Sequence, residues 1–254
     1  MKIMSLEGKV AVVTGASRGL GKSMAVELAR DGALIVVAAR TTAPGQTKLP
    51  GTIHETVNEI EKLGGKAVAV RCDVADEGSV NQMIEEVQKR HGGIDILINN
   101  AGVTTTESFI TMPVKKWDLV MNVNLRGTFL CCKAVLPQMI QRKSGHIINL
   151  SSVLASTIRF SIPYGCSKAA IERFTRGLAK EVKKYHVAVN ALCPDFTVTE
   201  AVEAFLKDVD TSSWQRPEMW GRYAALLAAK GSEDLTGRIL DEPALKEIFG
   251  PVAW

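Results

Sequence analysis

Short runs of apolar residues alternate along the chain with longer segments in which apolar positions recur every three or four residues. The short runs are near-continuously apolar and rich in β-branched residues, which is typical of strands buried on both faces of a sheet. The longer segments have the repeat of amphipathic helices. The pattern predicts strands at residues 10–14, 34–39, 67–70, 94–98, 146–150 and 187–192, with a weaker seventh at 238–240.

Helical segments separate nearly all of the predicted strands, and this alternation predicts a parallel sheet with helices on both faces. Right-handed crossovers then give an α/β fold, a single doubly wound Rossmann-like domain over residues 1–254 with a mostly or fully parallel seven-stranded sheet. The predicted helices lie at residues 19–31, 53–63, 77–90, 114–142 and 164–184, with a less regular stretch at 200–230.

Two segments interrupt this alternation. Residues 41–51 hold two prolines and two glycines and are predicted to form a loop after the second strand. Residues 208–222 carry Trp214, Pro217 and Trp220 among polar residues, which indicates either a mobile lid or an irregular connection. Long loops in compact domains are often functional.

The composition excludes several classes of protein. The chain has 254 residues, 46% of them hydrophobic, with a net charge of +4, which is enough for one large core. Its lysines and arginines are spread out, without the dense basic cluster of a nucleic-acid-binding surface. No apolar run is long enough to predict a membrane span, and no early apolar segment predicts a signal peptide. The five cysteines and four histidines lack metal-ligand spacing, which predicts no metal site and a reducing compartment such as the cytoplasm, with a peroxisomal or other organellar location left open.

The first predicted strand leads through Thr14-Gly15-Ala16-Ser17-Arg18-Gly19-Leu20-Gly21 into a predicted helix. Glycines allow a tight turn and a close approach of the backbone to a pyrophosphate, which the free N–H groups of a helix N-terminus can bind. The alternative is an ordinary glycine-containing turn. The place of the motif between strand and helix favours a dinucleotide. The residues expected to contact the cofactor are Gly15, Ser17, Arg18, Gly19, Leu20 and Gly21.

The second predicted strand ends in Ala39-Arg40, where an acidic residue would bind the ribose hydroxyl of NAD. A carboxylate there would repel a 2′-phosphate, whereas a guanidinium binds phosphate well. Arg40, together with Arg18, therefore predicts NADP(H) as the cofactor. The alternative is that Arg40 is a solvated cation at the end of a strand.

Tyr164 and Lys168 lie four residues apart in a predicted helix, so that the phenol and the ammonium can be neighbours. The adjacent positive charge is expected to lower the pKa of the tyrosine from about 10 toward the working pH. Tyr164 is then a candidate general acid toward a carbonyl oxygen, or a general base toward an alcohol. A lone Y-x-x-x-K pattern is common, and its significance here comes from Ser151-Ser152 and from Asn99-Asn100-Ala101-Gly102 upstream.

These motifs, in this order, resemble those of the short-chain dehydrogenase/reductase family from Gly8 to about Asp241. The glycine loop is similar to the family's TGxxxGxG signature, and residues 99–102 are similar to its NNAG turn. The Pro-rich segment 41–51 further resembles the hydroxysteroid dehydrogenase-like branch. By spacing alone, Asp73 and Asn100 would be strand-end turn residues. The resemblance implies cofactor contacts from Asp73 and Val74 at the adenine ring, from Asn100, Tyr164 and Lys168, and from Thr197 and Thr199 beside the nicotinamide and diphosphate.

The resemblance also implies a catalytic tetrad of Tyr164, Lys168, Ser152 and Asn124. Tyr164 would exchange the proton, Lys168 would tune it and bind the nicotinamide ribose, and Ser152 would hydrogen-bond the reacting oxygen. Asn124 would hold a water that relays protons to Lys168; without the resemblance, it could be a polar residue that bends its helix. Ser152 lies twelve residues before Tyr164, one fewer than is usual in the family. Ser152 is favoured over Ser151. A one-residue deletion in the loop between Ser152 and Tyr164 would shorten the spacing and still leave Ser152 at the end of the strand, whereas Ser151 would point to the opposite face of the strand.

Two positions depart from the family's pattern. Asp195 occupies the place of a glycine in the segment 194–199, and Glu242-Pro243 replaces a Gly-Gly pair. The first departure puts the local backbone path and the cofactor affinity in question. The tail from Glu242 to Trp254 could extend toward the active site of its own chain or of a neighbour.

The predicted reaction is reversible hydride transfer between NADPH and a carbonyl or secondary alcohol. The segments 153–161 and 196–206 and the loop with Trp214 and Trp220 would line the pocket, and their mostly apolar character predicts a largely apolar substrate. The family implies a homodimer or homotetramer joined through long helices, here 114–142. Two alternatives stay open: a protein that binds NADP(H) without turnover, and an enzyme of this fold with a dehydratase or epimerase reaction.

Overall fold

The computed structural model describes residues 5–158, 161–205, 209–231 and 233–253. Within them the strands are β1 (Val10–Thr14), β2 (Leu34–Ala39), β3 (Lys66–Arg71), β4 (Ile96–Asn99), β5 (Gly145–Leu150), β6 (Val187–Leu192) and β7 (Ile239–Leu240). All seven pair in parallel in one sheet of order β3-β2-β1-β4-β5-β6-β7. Every predicted strand is present to within two residues at either end. The predicted α/β class and parallel sheet are confirmed.

Helices connect the strands and cover both faces of the sheet. They are α1 (Gly19–Arg30), α2 (Ile53–Lys62), α3 (Glu77–His91), α4 (Val114–Val120), α5 (Gly127–Arg142), α6 (Ile162–Val182), α7 (Glu200–Phe205), α8 (Pro217–Ala228) and α9 (Glu242–Phe249). A π-helical segment, Met121–Arg126, joins α4 to α5, so that the predicted helix 114–142 is continuous.

The C-terminal part contains two further helices, of which α8 lies within the stretch 200–230 predicted to be helical. Part of the segment expected to be a lid or an irregular connection belongs to α8, which starts at Pro217 because a first-turn residue needs no N–H donor. The tail forms α9, whose N-terminus is capped by the Asp241 carboxylate accepting from the Ala244 N–H at 3.0 Å. Residues 206–208 and Trp254 lie outside the described residues.

Two apolar layers lie on the two faces of the sheet. On one face α1 and α8 pack against the strands, with Trp220 and Tyr223 of α8 fully buried. On the other face α3, α5 and α6 supply the core. Gly221 lets α8 approach α1 closely, since a Cβ there would lie 2.7 Å from the Ser23 carbonyl oxygen. Trp220 is therefore a core residue, and the expectation that it lines a substrate pocket is wrong.

The run Val114–Arg142 is long and apolar enough to cross a membrane by length and composition alone. However, half of its most apolar window is buried inside the fold. Its α5 part packs against α3, β4 and β5. We therefore interpret the run as part of the core.

The sheet gathers the predicted site residues at one edge, because the carboxyl ends of parallel strands lie together. The order of the strands reverses between β1 and β4. In open parallel sheets, ligands bind in the crevice outside such a reversal point. The glycine loop after β1 and the turn at 99–102 after β4 meet there.

Candidate active site

The glycine loop after β1 packs directly against the turn after β4. The Asn100 side-chain amide donates to the carbonyl oxygens of Thr14 at 2.9 Å and Gly15 at 3.1 Å. Gly15 has a φ of +65°, and a Cβ there would lie 2.7 Å from Ala101 Cα. A Cβ on Gly21 would lie 2.5 Å from the Gly15 oxygen and would clash with the Asn100 amide. The packing of the two loops therefore requires these glycines.

The N-terminus of α1 holds an anionic oxygen. The backbone N–H of Gly19, whose φ is +56°, donates to Glu200 Oε2 at 2.8 Å. Thr199 also packs against this glycine, since a Cβ on Gly19 would lie 3.4 Å from Thr199 Cγ2. The carboxylate stands in for a phosphate group, so the cradle fits the diphosphate of a dinucleotide. No spacing in the sequence marks Glu200 as the partner of a residue 181 positions away.

Arg18 holds the Pro-rich insertion that follows β2. Its guanidinium donates to the carbonyl oxygens of Pro50 at 2.6 Å and Gly51 at 2.9 Å, and to two threonine hydroxyls of the same loop. The neighbouring Ser17 side chain is buried, and Leu20 packs against the core. A cofactor phosphate would therefore compete with the insertion for Arg18.

Arg40 and Asp73 lie side by side at the ends of β2 and β3. Arg40 Nη1 lies 3.7 Å from Asp73 Oδ2, and 55% of the Arg40 side chain is exposed. An ion pair this exposed adds little stability. Arg40 can therefore leave Asp73 and bind a phosphate. Asp73 also accepts from the Ala75 N–H at 3.0 Å, and Val74 packs against Gly127. The structure brings together the two residues expected at the 2′-phosphate and at the adenine ring.

Tyr164 and Lys168 lie one turn apart on α6, beside the end of β5. The helix begins at Ile162, and the Ser161 hydroxyl caps it by accepting from the Tyr164 N–H at 3.4 Å. The Lys168 ammonium donates to the Leu150 carbonyl oxygen at 2.6 Å and lies 5.3 Å from the centroid of the Tyr164 ring. The phenol and the ammonium are therefore neighbours.

The two serines after β5 have different partners. Ser152 lies close enough to the Tyr164 phenol to lower the pKa of the phenol, and its hydroxyl accepts from the Leu154 N–H at 3.3 Å. Ser151 instead donates to Glu172 Oε1 at 2.8 Å. Consecutive residues of extended backbone point in opposite directions, so that only Ser152 faces the phenol.

Burial dominates the charge states of this cluster. It raises the pKa of Tyr164 to about 12, against a smaller lowering by the Ser152 hydrogen bond. It lowers the pKa of Lys168 to about 8 and raises that of the nearby Cys193 thiol to about 12. The expectation of a lowered Tyr164 pKa is wrong here, because the loss of hydration of the phenolate is the largest effect on that pKa and raises it. At neutral pH Tyr164 is a neutral phenol with a proton to donate.

Asn124 is fully buried in the π-helical segment. Its Oδ1 accepts from the Val103 N–H at 2.8 Å, and its Nδ2 donates to the Val103 carbonyl and to the Ser167 hydroxyl, both at 3.0 Å. Both N–H donors of the amide are thus used within the protein. Asn124 joins the segment after β4 to α6 at the residue before Lys168. A water held by Asn124 stays a prediction.

Asp195 fits its place without backbone strain. Its φ is not positive, so the position has no need of a glycine. Its Oδ1 accepts from the Phe196 N–H at 2.8 Å, and its carbonyl accepts from the Thr197 hydroxyl at 2.9 Å. Thr197 also forms a one-residue parallel bridge with Gln215. The sequence contains no motif that identifies Gln215 as a partner of this loop.

Within the described residues, no group of three or more His, Cys, Asp or Glu side chains could hold a metal ion. Arg159, Phe160 and Leu206, which belong to the segments expected to line the pocket, lie outside the described residues. The tail after β7 is bound to α8, since the Tyr223 hydroxyl donates to the Gly250 carbonyl at 3.1 Å.

The sequence matches the model of the short chain dehydrogenase family over residues 9–210. It is 39% identical over 246 residues to the human hydroxysteroid dehydrogenase-like protein 2 and 38% identical to the Danio rerio protein of that name. These alignments cover 95% of this chain but only 58% and 59% of the two relatives. The chain therefore spans somewhat more than half the length of the curated relatives it matches. The resemblance to the hydroxysteroid dehydrogenase-like branch is confirmed.

The fold is similar to solved structures of dehydrogenases. One is a gluconate 5-dehydrogenase from Burkholderia cenocepacia in complex with NADP and tartrate, with a TM-score of 0.82 and 30% identity over 94% of each chain. Another is a short-chain type dehydrogenase/reductase from Mycobacterium marinum, with a TM-score of 0.84 and 30% identity, covering 94% of this chain and 95% of that chain. Both share the fold of this chain over nearly its whole length.

Proposed function

Because the chain belongs to the short-chain dehydrogenase family, we propose that it catalyses reversible hydride transfer between NADP(H) and a carbonyl compound or secondary alcohol. The observation that carries the proposal is the cluster of Ser152, Tyr164 and Lys168. Ser152 lies near the phenol and the Lys168 ammonium lies beside it, at the sheet edge that also bears the glycine loop. Carbonyl reduction needs both parts, a proton donor and a dinucleotide cradle, at one place.

NADPH, when bound, supplies the hydride that reaches the carbonyl carbon. Tyr164 keeps its proton at neutral pH, since its pKa is raised to about 12, and transfers that proton to the developing alkoxide. Ser152 donates a second hydrogen bond to the same oxygen, and one such preorganised donor is typically worth about 3–4 kcal/mol. Lys168, mostly charged at neutral pH with a pKa of about 8, stabilises the tyrosinate that remains. Asn124 fixes the helix beside this group, and a water near it relays protons to Lys168.

The cofactor preference for NADP(H) rests on Arg40, whose exposed guanidinium follows β2. The NADP bound in the Burkholderia cenocepacia gluconate 5-dehydrogenase is consistent with it. Replacing Arg40 by alanine should weaken NADPH binding about 10- to 100-fold, the worth of a charged hydrogen bond, and leave NADH binding nearly unchanged. Fluorescence titration of both cofactors measures this difference. An equal loss for both would exclude Arg40 from phosphate recognition.

The proposed substrate is largely apolar. Ile162, the first residue of α6 and two residues before Tyr164, and Ile158, six residues before Tyr164, are both exposed. An apolar ligand would cover such side chains, as in most small-molecule sites. The name of the relatives, hydroxysteroid dehydrogenase-like, points in the same direction.

We also propose that the protein is a homodimer or homotetramer. Leu119 of α4 and Phe129 of α5 are each 43% exposed, so that the helical run 114–142 presents apolar side chains to solvent. Sedimentation of the wild-type protein beside a Phe129→Glu variant tests this assembly. The variant should dissociate toward monomers, and an unchanged assembly would exclude this face.

The deciding experiment measures NADPH consumption against ketosteroids, simple aliphatic ketones and keto-sugar acids. The wild-type protein should consume NADPH with an apolar ketone, and Tyr164→Phe should lower turnover about 100- to 10,000-fold while NADPH still binds. Full activity in Tyr164→Phe would refute the catalytic assignment. Tight NADPH binding without turnover across the panel would favour a binding protein.

The serine assignment has a matched pair of variants. Ser152→Ala should lower kcat about 100- to 1,000-fold, because it removes a donor to the developing oxyanion. Ser151→Ala removes a hydroxyl whose partner is Glu172 and should change kcat by no more than about threefold. The reverse order would place the active-site serine at position 151.

A further inference from the structure

The loop between β6 and α7 is paired with Gln215, a residue outside the loop. The backbone N–H of Gln215 donates to the Phe196 carbonyl at 2.9 Å, and the Val198 N–H donates to the Gln215 carbonyl at 3.0 Å. These two bonds form the parallel bridge between Thr197 and Gln215. The middle of the loop is therefore paired as if it were a strand.

The Gln215 side chain extends this contact to two helices. Its Oε1 accepts from the Asp195 N–H at 3.1 Å and from Trp220 Nε1 of α8 at 2.9 Å. Its Nε2 donates to Glu242 Oε2 of α9 at 2.6 Å. One side-chain amide thus links the start of the loop to the buried face of α8 and to the C-terminal helix.

Only an amide satisfies these partners. Asp195 and Trp220 present N–H donors, which need an acceptor. The ionised Glu242 carboxylate has no proton to donate and needs a donor. Glu242 is ionised at neutral pH, since the Lys246 ammonium at 2.6 Å and the Gln215 amide lower its pKa. The partners therefore fix the orientation of the Gln215 amide, with Oε1 toward the two N–H donors and Nε2 toward the Glu242 carboxylate.

Both departures from the family's pattern contact this one residue. Asp195 stands where the family has a glycine, and Glu242 stands where it has another glycine. A glycine at position 242 would leave the Gln215 Nε2 without its carboxylate partner. Of the two substitutions, only Glu242 adds a side-chain bond to Gln215, whereas position 195 contacts it through the backbone N–H and uses its carboxylate on the Phe196 N–H.

We propose that Gln215 is a positioning residue that holds the β6–α7 loop so that Thr197 and Thr199 meet the cofactor. The inference rests on the proposed function. The Thr197 hydroxyl is bonded to the Asp195 carbonyl at 2.9 Å, and Thr199 lies against Gly19 of the cofactor cradle. A displacement of the loop by about 1 Å would move both threonines, and errors of that size are costly at a reacting centre.

A set of charge-matched variants tests the proposal. Gln215→Glu places two carboxylates against each other and should weaken NADPH binding about tenfold. In the double variant Gln215→Glu/Glu242→Gln, the carboxylate at position 215 accepts from Asp195, Trp220 and the new amide at position 242. NADPH binding should then return to within about threefold of the wild type, with the net charge of the wild type restored. Glu247→Gln, which removes an exposed charge from the same helix α9, is the control and should leave NADPH binding unchanged.

The readouts separate positioning from a general loss of stability. For Gln215→Glu, the KM for NADPH should rise about tenfold while kcat falls less than about threefold. Gln215→Met keeps the size of the side chain but loses all three side-chain hydrogen bonds, and it serves if Gln215→Glu does not fold. Unchanged NADPH binding in both variants, or a loss that the double variant does not restore, would overturn the proposal.

Hydrogen exchange distinguishes this inference from the proposed function. The Asp195 and Val198 amides donate to Gln215, so they should exchange faster in Gln215→Glu and slowly again in the double variant. If the wild-type protein binds no NADPH, the proposed function fails, and these amides still show whether Gln215 holds the loop. Unchanged exchange would contradict the inference whatever the protein binds.

Discussion

Two loops at the carboxyl edge of the sheet hold their shapes in different ways. The glycine loop after β1 is fixed by the absence of side chains, since a Cβ on Gly15 or Gly21 would collide with backbone or with Asn100. The β6–α7 loop pairs with Gln215, whose backbone bonds to Phe196 and Val198 and whose side chain accepts from the Asp195 N–H. The first loop is therefore held by close backbone packing. The second depends in part on hydrogen bonds of the Gln215 side chain, which a single substitution removes.

Of the two loops, the glycine loop should show the larger effect of a substitution on cofactor binding. Gly21→Ala should lower the free energy of unfolding by about 1–3 kcal/mol, because the new methyl group overpacks a backbone contact. The shifted loop should weaken NADPH binding on the order of 100-fold. Thermal unfolding and a fluorescence titration measure the two effects.

A matched glycine outside this packing serves as the control for Gly21→Ala. A Cβ on Gly231 would meet nothing closer than the end of the Asp234 side chain at 3.5 Å, and Gly231 has no positive φ. Gly231→Ala should change stability by less than about 0.5 kcal/mol. Equal effects at both glycines would contradict the account of the glycine loop.

The same contrast explains what could be predicted from the sequence. The strands and the glycine loop are local patterns, because burial on both faces gives apolar runs and close backbone approach demands glycine. Tyr164 and Lys168 are four residues apart, so that helical geometry alone brings them together. The serine ambiguity is also local, and the structure gives Ser152 and Ser151 different partners because alternate residues face opposite ways.

Contacts between distant segments could not be predicted in this way. Glu200 meets Gly19 only because the sheet brings the loops after β1 and β6 to one edge, and Gln215 meets Asp195 and Glu242 only once the chain has folded. The charge state of Tyr164 was likewise beyond a pattern of spacing, since the extent of burial decides it and not the neighbouring ammonium. Helix α9 depends on the Asp241 cap and the burial of Leu245 more than on its eight-residue length.

The insertion after β2 gives an intermediate case, because Arg18 of the glycine loop holds it through side-chain hydrogen bonds. Arg18→Ala should lower the free energy of unfolding by about 1–2 kcal/mol, as the Pro50 and Gly51 carbonyls lose their donor. NADPH and NADH binding should both weaken, by about tenfold, since the insertion borders the cradle. Loss of NADPH binding alone would mean that Arg18 binds the 2′-phosphate directly and that the insertion does not need it.

A smaller effect is expected from restoring the family's glycine in the other loop. Asp195→Gly removes the acceptor of the Phe196 N–H and adds backbone freedom, which together cost about 1–2 kcal/mol of local order. NADPH binding should weaken about three- to fivefold, because the Gln215 contacts to the backbone remain. Asp195→Asn keeps an acceptor oxygen and should behave like the wild type. Tighter binding in Asp195→Gly would show that the aspartate is a defect of this loop and not a support.

The smallest expected effect has the opposite sign and joins the two loops. Glu200, at the start of α7, places its carboxylate on the Gly19 N–H, where a cofactor diphosphate would bind. A charge at a helix N-terminus is worth about 0.3–1 kcal/mol, so Glu200→Gln should tighten NADPH binding about two- to fivefold. Glu203→Gln removes the same charge from an exposed position on α7 and should change affinity little. The gain in Glu200→Gln should shrink as salt screens the carboxylate. If Glu200→Gln instead weakens NADPH binding, the carboxylate does not compete with the cofactor. The bond between Glu200 and the Gly19 N–H would then be needed to hold the two loops in the conformation that binds NADPH.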